Sequence, residues 1–251
     1  MGTAPLFLVD ALPSGDEAVL DGPEGRHAAT VRRLRPGEEL RLGDGRGGVA
    51  DAVVVATGRD TVTVALTGRA RVGPPSPRVV LAQALLKGDR GELAVELATE
   101  AGVDAVVPWR AARCVARWEA GPRGDKALAR WRTTVREAAK QARRPWVPPV
   151  AEPVTTAELA GRVPDGAALV LHEAATDGLA DVALPARGDL LLVVGPEGGI
   201  ADDELGLLTA AGARAVRLGP EVLRASTAAA VALGALGVLT GRWPGGPTRV
   251  G

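Results

Sequence analysis

Residues 38–68 alternate between apolar and polar positions with a period of two. Leu40 and Leu42 are followed by the runs VADAVVVAT and TVTVALT, which a GRD turn separates. Such alternation is typical of strands that bury one face, and the glycines and aspartate of residues 43–48 suit tight turns. The pattern predicts a small β-barrel or sandwich, which a stiff proline-rich linker, RVGPPSPR (71–78), follows.

Beyond this linker, continuous apolar runs alternate with helical periodicity. Unbroken apolar runs are typical of strands that are buried on both faces, as in a parallel sheet. The predicted strands cover residues 79–86, 104–109, 168–173, 189–195 and 213–219. We therefore predict an α/β domain with a parallel sheet after the small N-terminal barrel.

Three helices are predicted with their ends. Asp89, with Glu92 three residues on, has the spacing of a capping box, and its helix should stop before Gly102. The last helix covers STAAAVALGALGVLTG, with Ser226 and Thr227 as N-cap candidates. Between them, apolar residues at spacings of three and four form one helix face: Leu128, Trp131, Val135, Ala138 and Ala142.

Composition narrows the function classes. Hydrophobic residues make up 46% of the chain, enough for a core, yet no uninterrupted apolar run approaches the ~18 residues of a membrane span. The N-terminus lacks the basic start and long apolar run of a signal peptide. Cys114 is the single cysteine, so no internal disulfide forms, and no Cys/His cluster offers a metal site. We expect a soluble cytoplasmic protein without a metal.

The formal net charge is zero, but its distribution is uneven. Residues 110–144 contain eleven basic and three acidic side chains, a local charge of +8. Residues 151–212 contain eleven acidic and two basic side chains, a local charge of −9. A basic face can attract phosphate whatever the total charge, although a solvated helix surface paired to acids elsewhere is the alternative.

The segment LLLVVGPEGGIADDEL (190–205) carries the strongest chemical signal. A buried strand ends in a glycine-rich turn, and a helix follows at once. It is neither a P-loop nor a dinucleotide fingerprint, and Asp202, Asp203 and Glu204 would repel a phosphate while stabilising the helix start. We expect a ligand that is neutral or cationic near this turn, and a branched side chain at Gly198 should fill the space beside it. A purely structural turn is the alternative.

Two further strand ends resemble this arrangement. LGPEVLRASTAAAVALGAL (218–236) again joins a strand, a Gly-Pro turn and a helix, and LVLHE (169–173) precedes another loop. Ligands of open α/β sheets bind at the carboxyl ends of strands. The three ends together predict one cofactor pocket.

With these segments in order, the chain resembles the SPOUT methyltransferases, and among them the 16S rRNA uridine N3-methyltransferases. The resemblance rests on the GPEGG loop, LGPEVLR, EAAKQARRPWVP, ALLKGDRGELAVELATEAGVDAVVPWRAARC, and the N-terminal HAATVRRLRPGEELRLGDGRGG. It implies a PUA-like RNA-binding barrel over residues 1–72 and a trefoil-knot methyltransferase domain over 73–251, an exception to the rule against knots.

The resemblance also implies the reaction and its participants. S-adenosylmethionine would be the cofactor, the small ribosomal subunit or its 16S rRNA the substrate, and N3 of a uridine (U1498 in the family) the acceptor. The enzyme would be a homodimer. The implied cofactor residues lie in three loops: Leu171, His172, Glu173, Gly195, Pro196, Glu197, Gly198, Gly199, Ile200, Leu218, Gly219, Leu223, Arg224, Ser226, Thr227 and Ala228. Ser226 stands where the family commonly has an acidic residue, so we assign no base there.

Candidates for the remaining roles follow from motif position. A carboxylate could assist loss of the N3 proton, and the candidates are Glu100, Glu137 and Glu197. The RNA-binding candidates are Arg26, His27, Arg32, Arg33, Arg113, Arg136, Gln141 and Arg144. Each also fits a structural role, such as an ion pair, a turn or a helix cap. A ribose 2′-O-methyltransferase of the same superfamily and a non-catalytic RNA-binding module are the alternative functions.

Overall fold

The computed structural model describes residues 4–164 and 167–243, and it divides them into two compact units. The first contains residues 4–74 together with Ala139–Val147. The second contains Pro75–Ala138 and the described residues from 148 onward. The first residues of the predicted domain 1–72, the last residues of the predicted domain 73–251, and residues 165–166 lie outside the described residues.

The first unit is built on a five-stranded sheet of order β1-β3-β4-β5-β2. Its strands are β1 (Leu6–Leu8), β2 (Glu17–Leu20), β3 (Glu39–Gly43), β4 (Gly48–Thr57) and β5 (Val62–Arg71). β1 pairs with β3 in parallel, and the other pairs are antiparallel. Two register shifts between β4 and β5 bend the sheet. The alternating residues Leu40, Leu42, Val62 and Val64 face its core, as the sequence predicts.

A short helix and a later segment complete this unit. Helix α1 (Gly22–Arg26) continues into a π-helical turn, His27–Val31. The ammonium of Lys140 lies 2.7 Å from Glu24 Oε2 of α1, and both side chains are largely buried. Trp146 Nε1 donates to Val72 O at 3.1 Å. A Cβ on Gly47 (φ +92) would come within 2.7 Å of the Trp146 ring, so only glycine fits this turn.

The second unit contains a parallel five-stranded sheet of order β10-β8-β9-β6-β7. Its strands are β6 (Arg78–Ala84), β7 (Ala105–Trp109), β8 (Ala168–Leu171), β9 (Asp189–Val194) and β10 (Arg214–Val216). Its helices are α2 (Arg90–Glu100), α3 (Pro122–Gln141, whose last three residues belong to the first unit), α4 (Thr156–Ala160), α5 (Asp202–Ala210) and α6 (Ala225–Leu239), with a 3₁₀ turn at Leu179–Asp181. β9 and β6 are central and almost wholly buried, which explains their unbroken apolar sequences. The predicted α/β fold class is confirmed.

The predicted ends of α2 are confirmed, but its capping box is absent, and the N-cap predicted for α6 is wrong. Asp89 is the N-cap of α2, but its side chain makes no capping hydrogen bond, and Glu92 instead accepts from Arg130 Nε at 3.0 Å. Helix α6 begins two residues early, with extended Arg224 as its N-cap. Thr227 lies in the first turn and donates from Oγ1 to Arg224 O at 3.1 Å. Ser226 is buried beside it, so tertiary packing overrides the local capping preference.

Within the described residues, no helix is long and apolar enough to cross a membrane.

Candidate functional site

A cavity of about 530 Å³ opens at the carboxyl ends of β8, β9 and β10. Its walls come from the loops that follow these three strands and from the start of α6. Fourteen of the sixteen residues predicted to bind a cofactor line it: Leu171, His172, Glu173, Gly195, Pro196, Glu197, Gly199, Ile200, Leu218, Gly219, Leu223, Arg224, Ser226 and Ala228. Gly198 and Thr227 do not line it. The fold thus brings three separate sequence segments to one site, at the edge where parallel α/β sheets bind ligands.

The glycine-rich loop 195–200 adopts its shape for steric reasons. A Cβ on Gly195 would lie 2.6 Å from Ile200 Cγ1, so the loop folds tightly over its own isoleucine. Gly199 has φ +74, a left-handed conformation that side chains rarely adopt. Glu197 Oε1 accepts from Lys87 N at 3.2 Å and lies 3.5 Å from Arg90 Nη1. These contacts hold the Glu197 carboxylate at the cavity wall.

Gly198 faces away from the predicted ligand space. Arg113 Nη1 donates to Gly198 O at 3.2 Å, and a Cβ on Gly198 would lie 3.3 Å from Arg113 Cβ. A side chain at Gly198 would therefore meet Arg113. The steric reason predicted from sequence is wrong, because the neighbour is a protein side chain.

The acidic helix start at residues 202–204 divides into two roles. Asp202 and Asp203 are exposed in the first turn of α5, where negative charge favours the helix dipole. Glu204 is 6% exposed and accepts from Ala112 N at 2.9 Å and from Thr156 Oγ1. Glu204 thus connects α5 to the segment after β7, a role the sequence alone does not reveal.

The cavity lining contains both charge signs and several apolar side chains. Three arginines (Arg90, Arg217 and Arg224) and three glutamates (Glu173, Glu197 and Glu221) lie around it, with leucines among them. Arg90, Arg217 and Glu221 are not among the residues that the sequence nominated. Arg217 and Glu221 flank the predicted Leu218-Gly219 turn, so extending that segment by one residue before it and two after it would have included them.

A ligand with an adenine ring, a cation and an amino-acid end matches this lining. Its volume lies in the range of about 300–1,000 Å³ that is usual for small-molecule sites. Carboxylates can face a sulfonium or an ammonium, arginines can face a carboxylate, and leucines can pack on a ring. The residues present therefore fit S-adenosylmethionine.

The three candidate bases are dispersed. Glu197 lines the cavity, whereas Glu100 is exposed at the last residue of α2. Glu137 is exposed on α3. Neither Glu100 nor Glu137 lines the cavity of this chain.

Most of the RNA-binding candidates belong to the first unit. Arg26 is exposed in α1, and Arg32 and Arg33 are exposed just after the π-helical turn. Gln141 and Arg144 lie in residues 139–147, the returning segment that completes this unit. The ring of His27 lies edge-on to Phe7, with centroids 5.9 Å apart, which fits packing better than capping. Lys140 lies over the same Phe7 ring, 5.4 Å from its centroid.

The α1 region and the returning segment are therefore joined through Phe7 and Glu24. Two candidates belong to the second unit, where Arg136 is exposed on α3 and Arg113 is bound to Gly198 O.

The remaining titratable groups offer no metal site. No group of three or more His, Cys, Asp or Glu side chains in residues 4–164 and 167–243 could hold a metal ion. Cys114 is buried, and burial raises the pKa of its thiol, with the Glu204 and Glu197 carboxylates acting in the same direction.

Comparisons with known proteins agree with this architecture. Residues 74–237 match the family model of an RNA methyltransferase domain, and residues 20–67 match that of an RNA methyltransferase PUA domain. The chain is 58% identical over 246 residues to ribosomal RNA small subunit methyltransferase E of Mycobacterium bovis, which covers 96% of this chain and 94% of the relative. The same enzyme of Bacillus subtilis is 30% identical, with 88% and 90% covered.

Solved structures give the same picture. Ribosomal RNA small subunit methyltransferase E of Neisseria gonorrhoeae, bound to S-adenosyl methionine, has a TM-score of 0.84 at 29% identity and covers 94% of this chain and 98% of its own. A methyltransferase of Legionella pneumophila in complex with the same cofactor has a TM-score of 0.82 at 27% identity, with 94% and 98% covered. The PUA-like barrel and SPOUT-type α/β domain predicted from the sequence are thereby confirmed.

Proposed function

Because this chain belongs to the ribosomal RNA small subunit methyltransferase E family of RNA methyltransferases, we propose that it methylates N3 of a uridine in 16S rRNA, U1498 by family resemblance, with S-adenosylmethionine as methyl donor. The observation that carries the proposal is the cavity at the ends of β8, β9 and β10, where three predicted cofactor segments meet. The relatives named above match over nearly the full length, so both units take part.

The cofactor site is assigned to the loops after these strands. When bound, the sulfonium supplies an activated methyl group, whose S–C bond breaks as the N3–C bond forms and the N3 proton leaves. The chain's own residues supply alignment, which lowers the barrier by fixing the reactants in line. Leu171, Ile200 and Leu218 line the cavity and would pack on the ring system of the cofactor, while the lining carboxylates would face its cationic groups.

Among the three candidate bases, Glu197 best suits receipt of the N3 proton. Glu197 lines the cavity, and Lys87 N and Arg90 fix its position. A base has to come within hydrogen-bond reach of the proton that it takes. Glu100 and Glu137 lie outside the cavity of their own chain, so either could come within reach of the proton only at the cavity of another molecule.

The RNA-binding role is assigned first to the basic residues of the first unit. Arg26, Arg32 and Arg33 are exposed together with Arg143, which was not among the sequence candidates. Arg33 and Arg143 both have φ +54, so each lies at a sharp bend of an exposed turn. Such side chains can contact phosphates, while a uridine has to leave its stack to present its N3 edge.

The assembly and location follow as parts of the same proposal. Helix α6 is mostly apolar, and three of its large apolar side chains, Val231, Val238 and Leu239, are exposed to solvent. This face is proposed to pair with a second copy in a homodimer. Action on the small ribosomal subunit would place the protein in the cytoplasm.

The experiment is transfer of labelled methyl from S-adenosylmethionine to small subunits that lack this modification, followed by digestion to nucleosides and mass spectrometry. Label in 3-methyluridine is the expected result. Label in an alkali-resistant 2′-O-methylnucleoside would replace the proposal with ribose methylation. RNA binding without any transfer would indicate a non-catalytic module.

A further inference from the structure

The segment that follows β7 contacts both the cofactor loop and the helix that follows this loop. Ala112 N donates to Glu204 Oε1 at 2.9 Å, and Arg113 Nη1 donates to Gly198 O at 3.2 Å. Gly198 lies within loop 195–200, and Glu204 lies in the first turn of the helix that follows it. Two neighbouring residues therefore hold the loop on both sides of Ile200.

The contact at Gly198 involves shape as well as a hydrogen bond. A Cβ on Gly198 would lie 3.3 Å from Arg113 Cβ and 3.5 Å from Arg113 O. A side chain at Gly198 would therefore be packed more tightly than usual against residue 113. Arg113 would have to shift by a few tenths of an ångström to accommodate it.

The Arg113 guanidinium also lies beside Gly199, which lines the cavity. A Cβ on Gly199 would be 3.7 Å from Arg113 Nη1 and 3.9 Å from Glu173 Oε1. Both Gly199 and Glu173 line the cavity. The positive charge of Arg113 and the negative charge of Glu173 therefore lie on either side of Gly199, the residue of the loop with a left-handed conformation.

We propose that Arg113 is a positioning residue of the cofactor site, which holds loop 195–200 in its binding conformation before the cofactor arrives. This inference rests on the proposed function only in taking S-adenosylmethionine as the ligand. The sequence placed Arg113 among the RNA-binding residues, but its guanidinium has an acceptor within the protein. A loop ordered in advance pays less conformational entropy when a ligand binds.

The test uses the full chain with Arg113→Met, Arg113→Lys and, as a matched control, Arg117→Met at another exposed arginine of the same segment. Methionine keeps much of the stem and removes the donor, whereas lysine keeps a cationic donor. Calorimetry should show S-adenosylmethionine affinity about five- to tenfold weaker in Arg113→Met, partly restored in Arg113→Lys and unchanged in Arg117→Met. Amide hydrogen exchange of residues 197–201 should be faster in Arg113→Met without ligand.

A second measurement separates positioning from RNA contact. Affinity for 16S rRNA without cofactor should be equal in the wild type and Arg113→Met. Weaker RNA binding with unchanged cofactor affinity would overturn the proposal and make Arg113 a phosphate contact. Unchanged exchange in the loop would also overturn it. If the wild type bound no S-adenosylmethionine, the proposed function would fail, while the exchange experiment would still test the loop contact.

Discussion

Arg242 Nη1 lies 2.7 Å from Asp104 Oδ2, and the two side chains are 9% and 5% exposed. The same carboxylate oxygen accepts from Val79 N at 2.8 Å, while Arg242 Nη2 donates to Gly102 O at 2.7 Å. Residues after α6 are thereby attached to the starts of β6 and β7. Arg242 lies far in sequence from Asp104, and the sequence around either residue does not predict this ion pair.

Removal of one partner from this ion pair should destabilise the second unit strongly. Arg242→Met would remove the guanidinium from a carboxylate that is 5% exposed, and loss of one partner of a buried ion pair costs about 3–5 kcal/mol of unfolding free energy. The matched control is Arg214→Met, whose salt bridge to Asp177 at 2.8 Å is about half exposed. The control should lose at most about 1 kcal/mol. Urea denaturation measures both, and similar losses in the two variants would contradict the prediction.

Gly199→Val should abolish cofactor binding in a protein that still folds. Gly199 has φ +74 and lines the cavity, so a branched side chain is strained and also occupies ligand space. Gly206→Ala is the control, because a Cβ at that exposed position of α5 meets no atom within 4 Å. It should raise stability by about 0.5–1 kcal/mol and leave affinity unchanged. Calorimetry with S-adenosylmethionine and thermal melts distinguish the two, and normal binding by Gly199→Val would refute the assignment of this loop.

Arg32→Glu combined with Arg33→Glu should weaken RNA binding and spare cofactor binding. Both residues are exposed in the first unit, after the π-helical turn. Loss of phosphate contacts should also make the dependence of RNA affinity on salt less steep, because fewer counterions are released. Arg59→Glu, which reverses one charge at another exposed arginine of this unit, is the control for charge reversal as such. Equal salt slopes in the double variant and the wild type would place the RNA contacts elsewhere.

Cys114 should react slowly with thiol reagents in the native protein. Its burial raises the pKa of the thiol, so less of the reactive thiolate exists near pH 8. As the chain contains one cysteine, Ellman's reagent gives a single phase. The native rate should be about tenfold or more below that in denaturant, and it should rise with pH beyond the range where an ordinary thiol is already ionised. Equal rates in both states would show that the thiol is accessible.

The sequence predicts the strands and the cavity well because both depend on short segments. The apolar run of β9 is typical of a strand in the centre of a sheet, and the glycines after it mark a close turn. Parallel strands then bring their loops to one edge, so most predicted cofactor residues line one cavity. Periodicity and fold topology are sufficient for the strands and their shared edge, whereas the individual cofactor residues were implied by the resemblance to the SPOUT methyltransferases.

The missed features depend on contacts between distant segments. From the sequence, Glu204 is predicted to be one of three acids at a helix start, yet it is buried against Ala112 and Thr156. Arg90 reaches the cavity only because β6 lies beside β9. The neighbour of Gly198 could not be known before the fold brought Arg113 to it. Each case requires three-dimensional packing that no local window contains.

The first unit is built from two segments that are far apart in sequence, which affects when it can be completed during protein synthesis. Its barrel uses Lys140 against Glu24 and Trp146 against Gly47, from a segment that is made long after β5. At roughly 5–20 residues per second, the ribosome needs several seconds to synthesise the intervening stretch. The nascent barrel therefore waits, with part of its surface uncovered, until residues 139–147 have left the exit tunnel. A gene cut after residue 74 would yield a barrel that never receives this final segment.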